Sequence, residues 1–113
     1  MINKVSVIIP VFNAQEYINE TINSVIKQTY EGSIEIIIID DHSTDNSFQI
    51  VREFESDSII VKKNPKKGAC AARNYGFQLS TGDYIQYLDA DDLLSKNKIR
   101  SQMELLMKYS TCT

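Results

Sequence analysis

Four short apolar segments alternate with four segments of helical character along the chain. The apolar segments are residues 4–10, 34–39, 59–62 and 84–88. Nearly continuous apolar runs of this length are typical of strands that are covered on both faces. Three of the intervening segments, residues 13–29, 43–55 and 96–109, carry apolar residues at helical spacing, and the other, residues 69–79, has the alanine content of a helix. This alternation predicts an α/β fold with an open, mostly parallel sheet and helices on both faces.

Individual residues predict where several of these elements begin and end. Pro10 is expected to end the first strand, because proline has no N–H to donate to a neighbouring strand. Asn13 and Glu16 have capping-box spacing, which places the start of the first helix at Asn13. The last helix is indicated by an apolar stripe formed by Ile99, Met103 and Leu106.

The fourth apolar segment leads directly into three carboxylates, Asp89, Asp91 and Asp92. Acids so close together repel one another unless a cation joins them. Carboxylate oxygens are the ligands that Mg²⁺ and Mn²⁺ prefer, often with substrate phosphates completing the coordination. The segment therefore predicts a divalent metal site. The alternative is a polar turn that caps the next helix, since Asp is common in that position too.

Other candidate ligand residues follow the first two strands. The carboxyl ends of parallel strands share one edge of the sheet, so Pro10, Phe12 and Asp41 are expected beside the acids. Asp41 is suited to accept hydrogen bonds from a nucleobase or a sugar. Its alternative role is a helix-capping residue before Ser43.

A basic stretch precedes and enters the third helix. Its members are Lys62, Lys63, Lys66, Lys67 and Arg73. A helix N-terminus attracts phosphate, and the planar guanidinium of Arg73 suits a diphosphate. Lys62 and Lys63 are interpreted as part of a solvated face. The single histidine, His42, is interpreted as an exposed turn residue.

Composition narrows the class of protein. Residues 1–58 carry ten acids and three bases, whereas residues 59–113 carry nine bases and five acids. This asymmetry suits an anionic ligand bound partly through metal, and it does not suggest nucleic acid. The two cysteines, Cys70 and Cys112, form neither a disulfide framework nor a metal motif, which fits a reducing cytoplasm. No apolar run approaches the roughly 18 residues of a transmembrane segment.

Four motifs in order resemble the signatures of family-two glycosyltransferases of GT-A fold. They are VSVIIPVFN (residues 5–13), IDDHSTD (39–45), GACAARNYG (68–76) and GDYIQYLDADD (82–92). The resemblance covers about residues 4–95. It implies inverting transfer of a hexosyl-type sugar from a nucleotide-diphospho-sugar, UDP-linked rather than GDP-linked, to an acceptor hydroxyl. Mn²⁺ or Mg²⁺ is the implied cofactor. His42 stands where the family usually has glycine.

The resemblance also implies roles for individual residues. Pro10, Phe12 and Asp41 match positions that hold the base and ribose, and Arg73 matches a position near the diphosphate. Asp91 matches the direct metal ligand, and Asp89 a residue nearer the ribose or a metal-bound water. Asp92 receives no role.

The same resemblance leads to expectations about the whole protein. Residues 1–113 are expected to be a single donor-binding part of a truncated GT-A domain. The acceptor-binding half and the general base are expected beyond residue 113, so this chain alone should bind donor with little or no transfer. The implied acceptor is a saccharide or a lipid-linked sugar, and the implied location is the cytoplasm or the inner membrane surface. An unfinished sheet edge would allow a homo-oligomer.

Two other classes of protein are compatible with an open α/β sheet and an acidic metal pocket. A phospho-receiver domain would place an acid pair after the first strand, where this chain has Pro10, Val11 and Phe12. A sugar-phosphate nucleotidyltransferase would place a Gly-rich, Arg-containing loop there.

Overall fold

The computed structural model describes residues 3–109, with the side chains of residues 3–104. Its elements are β1 (Val5–Val11), α1 (Ile18–Ile26), β2 (Ile34–Asp40), α2 (Ser47–Arg52), β3 (Ile59–Lys63), α3 (Ala69–Leu79), β4 (Tyr84–Tyr87) and α4 (Lys98–Tyr109). The strict alternation of strands and helices is the one that the apolar pattern predicts. Leu106 lies within α4, but its side chain, like the whole of Cys112, lies outside the described residues.

All strand pairs in the described sheet are parallel, and their order is β3-β2-β1-β4. β1 is therefore central, with Val5 opposite both Ile34 and Tyr84. The chain moves outward from β1 to β3 and then returns to place β4 on the other side of β1. Ligands of open α/β sheets bind at the carboxyl edge where the strand order reverses in this way. The predicted open parallel sheet is confirmed.

Helices cover both faces of the sheet because alternate strand residues point to opposite sides. On one face, Val7 and Ile9 belong to a buried cluster with residues from α1, α2 and α4. On the other face, Ile8 packs with Ala72 of α3. Gly76 permits this close approach, since a Cβ there would lie 2.5 Å from the side chain of Ile8.

The predicted end of the first strand is wrong, because Pro10 lies within β1 opposite Ile39. The carbonyl of Ile8 accepts a hydrogen bond from Leu88, whereas that of Val11 accepts one from Asp41. Backbone groups therefore alternate between the two neighbouring strands, and Pro10 faces the β4 side. The pairing of β1 with β4 ends at Ile8, so the missing N–H removes no hydrogen bond from the sheet.

The predicted helix cap at Asn13 is also wrong. Asn13 has a φ of 48°, and its side-chain oxygen accepts a hydrogen bond from the Thr44 N–H at 2.8 Å. The first helix begins only at Ile18 and ends at Ile26. α2 and α4 likewise begin later than expected, at Ser47 and Lys98. Loop-to-loop hydrogen bonds hold the residues that the sequence pattern assigned to helices.

Cys70 has a free thiol and is exposed on α3. Within residues 3–109, the helices lack the length and apolar character needed to cross a membrane.

A buried carboxylate links the amino ends of three strands. Glu35 of β2 accepts hydrogen bonds from the Ser6 hydroxyl at 2.5 Å and from the Thr81 N–H at 2.7 Å. The Nζ of Lys4 lies 3.5 Å from the same carboxylate. Burial alone would raise the pKa of Glu35, but the hydrogen bonds from Ser6 and Thr81, with the charge of Lys4, lower it overall. The charged form is therefore the one that the fold stabilises.

Replacing Glu35 with Gln is expected to lower the free energy of unfolding by about 1–3 kcal/mol at pH 7, because an ionised hydrogen-bond acceptor is lost. The pKa of Glu35 is lower in the folded state than in the unfolded state. Its stabilisation is therefore complete above the unfolded value, near 4.5, and is lost as the pH falls through the folded value. Urea unfolding at pH 7 and at steps below pH 4.5 measures both effects.

The exposed Glu31 provides the matched control, as Glu31→Gln should change neither the stability nor its pH dependence. If wild type and Glu35→Gln lost equal stability as the pH was lowered through the steps below pH 4.5, Glu35 would not be the residue responsible for the pH dependence.

Candidate functional site

A cleft of about 290 Å³ opens at the carboxyl edge of the sheet, where the strand order reverses between β1 and β4. It is lined by residues from the end of β1 and the turn after it, from the ends of β2 and β4, and from the start of α3. These residues are Pro10, Val11, Phe12, Asn13, Ala14, Tyr17, Asp41, Ala69, Arg73, Asp89, Ala90 and Asp91.

All six residues proposed from the sequence line this cleft: Pro10, Phe12, Asp41, Arg73, Asp89 and Asp91. The most demanding part of that expectation is that Asp41 and Asp91, which are fifty residues apart in the chain, face one cavity. Parallel pairing of β1 with both β2 and β4 produces this arrangement, because it places the residues after these strands side by side.

The acids after β4 form a tight turn in which the Asp92 N–H donates to the Asp89 carbonyl at 3.0 Å. Carboxylate oxygens from Asp89, Asp91 and Asp92 lie within 4.8 Å of one another, and all three residues are exposed. Oxygen ligands at this spacing fit Mg²⁺ or Mn²⁺ with positions left for water and phosphate. All three acids of the predicted cluster are therefore candidate ligands, including Asp92, for which the resemblance implied no role. Its signal in the sequence was simply that it is a third acid in the same turn.

Asp41 is 9% exposed and holds the start of α3. Its carboxylate accepts hydrogen bonds from the Asn64 side-chain amide at 3.0 Å and the Gly68 N–H at 3.0 Å. Two donors leave part of the acceptor capacity of a carboxylate unused. The neighbouring Asp40, not Asp41, accepts from the Ser43 N–H, so the alternative role of Asp41 as a cap at Ser43 is wrong.

Arg73 projects from α3 into the cleft and is half-buried. Within the described part of the chain, its only hydrogen bond is to the Cys70 sulfur at 3.5 Å, and no carboxylate lies within salt-bridge distance. The guanidinium charge is therefore available to an anion.

The lysines of the basic stretch do not line the cleft. Lys63 lies 4.6 Å from the ring centroid of Phe48 on α2, which agrees with its interpretation as part of a solvated face. His42 is exposed with a φ of 60°, and its Nε2 is 3.2 Å from the Lys66 carbonyl. A left-handed backbone at this turn explains why glycine suits the position, and histidine tolerates it.

Sequence reasoning missed Tyr17, which is 53% exposed and lines the cleft. The pattern placed it inside the first helix, where it would have been one more surface residue. It reaches the cleft because residues 13–17 are not helical and α1 begins at Ile18. The sequence contained one indication of this role, because Tyr17 is an aromatic residue that does not belong to the apolar stripe predicted for the first helix.

The sequence pattern of glycosyl transferase family 2 matches residues 6–112. The chain belongs to this family. It is 41% identical over 103 residues to the Escherichia coli UDP-Glc:alpha-D-GlcNAc-diphosphoundecaprenol beta-1,3-glucosyltransferase WfaP, covering 90% of this chain and 41% of that protein. It is 38% identical over 107 residues to an uncharacterized glycosyltransferase of Haemophilus influenzae, covering 92% and 42%. The chain thus spans about two fifths of the length of these relatives.

Two solved structures show the same fold as this chain. The crystal structure of S. aureus TarS residues 1–349 in complex with UDP matches 95% of this chain and 33% of that one, with 28% identity and a TM-score of 0.86. A Pyrobaculum calidifontis mannosyltransferase in complex with GDP-Man and Mn²⁺ matches 82% and 29%, with 27% identity and a TM-score of 0.73. The GT-A fold is confirmed, and the family decides against the phospho-receiver and nucleotidyltransferase classes.

Removing the Asp41 carboxylate should destabilise this family-2 chain itself, whatever ligand it binds. Asp41→Ala is expected to lower the free energy of unfolding by about 2–4 kcal/mol, because two hydrogen bonds to a charged acceptor are lost near α3. Asp41→Asn keeps one acceptor oxygen and should lose less. Urea unfolding of both variants measures the difference, with the exposed Asp57→Ala as control. Stability of Asp41→Ala within about 0.5 kcal/mol of wild type would contradict this role.

Proposed function

We propose that the chain is the nucleotide-sugar-binding part of a glycosyltransferase that moves a hexosyl-type sugar to an acceptor hydroxyl in glycan or polysaccharide synthesis. The observation that carries the proposal is the convergence of Asp41, Arg73 and the acidic turn on one cleft at the switch point of the sheet. A carboxylate, a free guanidinium and a cluster of acids match the three parts of a metal-bound nucleoside diphosphate: base or ribose, diphosphate and cation.

A UDP-sugar is the proposed donor. TarS, which is more similar to this chain in structure than the mannosyltransferase is, has been solved in complex with UDP and with UDP-GlcNAc. The name of WfaP likewise specifies UDP-Glc as its donor. The described mannosyltransferase with GDP-Man is less similar in structure.

The base and ribose are proposed to bind at the β1–β2 end of the cleft. Phe12 is 55% exposed there and offers an aromatic face beside Pro10. Asp41 retains acceptor capacity for an N–H or a ribose hydroxyl, since its present donors occupy only part of the carboxylate. The carboxylate is also fixed in place by those donors, which lowers the entropic cost of binding a ligand.

The diphosphate is proposed to bind between Arg73 and the acidic turn. Arg73 would contribute a charge-assisted fork to the phosphate oxygens. Ala69, the first residue of α3, also lines the cleft, so the N-terminus of this eleven-residue helix adds a favourable dipole.

Asp91 is proposed to ligate Mn²⁺ or Mg²⁺ directly, with Asp89 closer to the ribose or a metal-bound water. The divalent ion, when bound, would supply a Lewis acid that neutralises charge on the leaving nucleoside diphosphate. Asp92 adds a third carboxylate to the same cluster, and repulsion among the three favours cation binding. Mn²⁺ accompanies the donor in the described mannosyltransferase.

For the whole protein, the proposed reaction inverts the anomeric carbon, and the acceptor is a saccharide or a lipid-linked sugar. The name of WfaP specifies a diphosphoundecaprenol-linked sugar as its acceptor, which supports the second class. A cytoplasmic enzyme at the inner membrane surface would meet such an acceptor. Pairing of two copies through a sheet edge stays a prediction.

Asp91→Ala should abolish the metal-dependent part of UDP binding. We expect at least a tenfold loss of UDP affinity in the presence of Mn²⁺, about 1.4 kcal/mol, and little change when EDTA is present. Isothermal titration of UDP with and without Mn²⁺ measures both quantities. Asp57→Ala removes one exposed acid outside the cleft and serves as the charge control. Undiminished Mn²⁺-dependent UDP binding by Asp91→Ala would overturn the assignment.

Arg73→Ala should weaken binding of UDP by about tenfold or more, because a charge-assisted contact to phosphate is lost. Arg73→Lys keeps the charge without the fork and should be intermediate. Uridine, which has no phosphate, should bind wild type and both variants equally. Titrations of the two ligands separate these effects. Arg52→Ala is the control, since that guanidinium lies over Phe48 on α2. Equal losses for uridine and UDP would show that Arg73 does not contact the diphosphate.

A further inference from the structure

One face of α1 holds the irregular segment that follows β4. Residues 88–97 contain neither helix nor strand, yet their backbone is bound at successive points by polar side chains from α1 and the two residues beyond its C-cap. The side chains are Thr21, Ser24, Gln28 and Thr29. Thr21 and Ser24 are three residues apart and therefore share one face of α1, whereas Gln28 and Thr29 follow its C-cap. The acidic turn belongs to the segment that they hold.

Thr21 makes the contact that is nearest to the acids. Its hydroxyl donates to the Ala90 carbonyl at 2.7 Å, and Thr21 itself is completely buried. The Tyr17 carbonyl lies farther away, at 3.3 Å, as is common for a threonine within a helix. A hydroxyl has one hydrogen to donate, so the shorter distance identifies Ala90 as the principal partner.

The Ala90 carbonyl belongs to the central peptide of the turn that the Asp92 N–H closes onto Asp89. Turns of types I and II differ mainly by a flip of this peptide, and type II requires a positive φ at the third residue. That residue is Asp91. Among residues 3–109, the positive φ values outside glycine are those of Asn13 and His42, so the turn is not of type II. A flip would turn the Ala90 carbonyl away from Thr21 and remove the hydrogen bond that joins the turn to α1.

We propose that Thr21 is a positioning residue that joins the Ala90 carbonyl to α1 and thereby keeps the turn in the conformation that brings the carboxylates of Asp89, Asp91 and Asp92 together. The inference rests on the proposed metal site for its consequence and on the Thr21–Ala90 contact for its geometry. Groups that orient the ligands of a metal commonly affect its affinity by 10- to 100-fold, although they do not touch it. Thr21 would act through the backbone instead of through a side chain of the turn.

The test compares Thr21→Val, which keeps the shape but removes the hydroxyl, with Thr21→Ser, which keeps the hydroxyl. In the 113-residue chain, Thr21→Val should bind Mn²⁺ about tenfold more weakly in the presence of UDP, as followed by the EPR signal of free Mn²⁺. Thr21→Ser should restore binding close to that of wild type. Without metal, the Asp92 amide should exchange its hydrogen faster in Thr21→Val than in wild type, since the turn is no longer held.

Thr29→Val is the matched control, because it makes the same substitution and the Thr29 hydroxyl contacts Lys96 and Asn97, outside the turn. It should leave Mn²⁺ affinity and Asp92 exchange unchanged. The inference would be overturned by unchanged Asp92 exchange in Thr21→Val, by Thr21→Ser as weak as Thr21→Val, or by an equal loss in Thr29→Val. A wild type that binds no Mn²⁺, with faster Asp92 exchange in Thr21→Val, would reject the proposed metal site and support the positioning of the turn.

Discussion

The parallel pairing of β1 with β2 on one side and β4 on the other is the constraint on which the site depends. Hydrogen bonds along both edges of β1 align the three strands so that the chain leaves all of them at the same end. Asp41 and the acidic turn are thereby placed around the same cleft. If the chain did not return to the far side of β1, the residues after β4 would be missing from the lining of the cleft.

The two ends of the sheet use carboxylates in opposite ways. At the amino end, Glu35 is buried, and its charge is satisfied by Ser6, Thr81 and Lys4. At the carboxyl end, the acids of the turn after β4 are exposed and lie close together. A buried carboxylate that is fully hydrogen-bonded links strands. Several exposed carboxylates that lie close together instead favour the binding of a cation. The same side-chain chemistry therefore supports the fold at one end and, in the function proposed above, binds a cation at the other.

Irregular segments line the cleft, and other irregular segments hold them in place. Asn13 and Thr44 join the loop after β1 to the loop after β2, and the Ala14 N–H donates to the Ser47 hydroxyl. Asp41 holds Gly68 at the start of α3 in the same manner. Backbone groups that have no partner within a helix or strand find one in a neighbouring loop, as buried polar groups require. This mutual support gives the cleft a defined shape although little of its lining is regular.

The identity and order of the eight elements, and the grouping of the six proposed residues at one edge of the sheet, were predictable from the sequence. Residues 34–39, for example, can be recognised as a strand from their own apolar side chains, without reference to the rest of the chain. Only the tertiary structure decided four other features. These are the late start of α1, the presence of Pro10 within β1, the place of Tyr17 in the cleft and the contact of Thr21 with Ala90. Each depends on contacts between segments that are distant in the chain. Such contacts cannot be inferred from the residues of either segment alone.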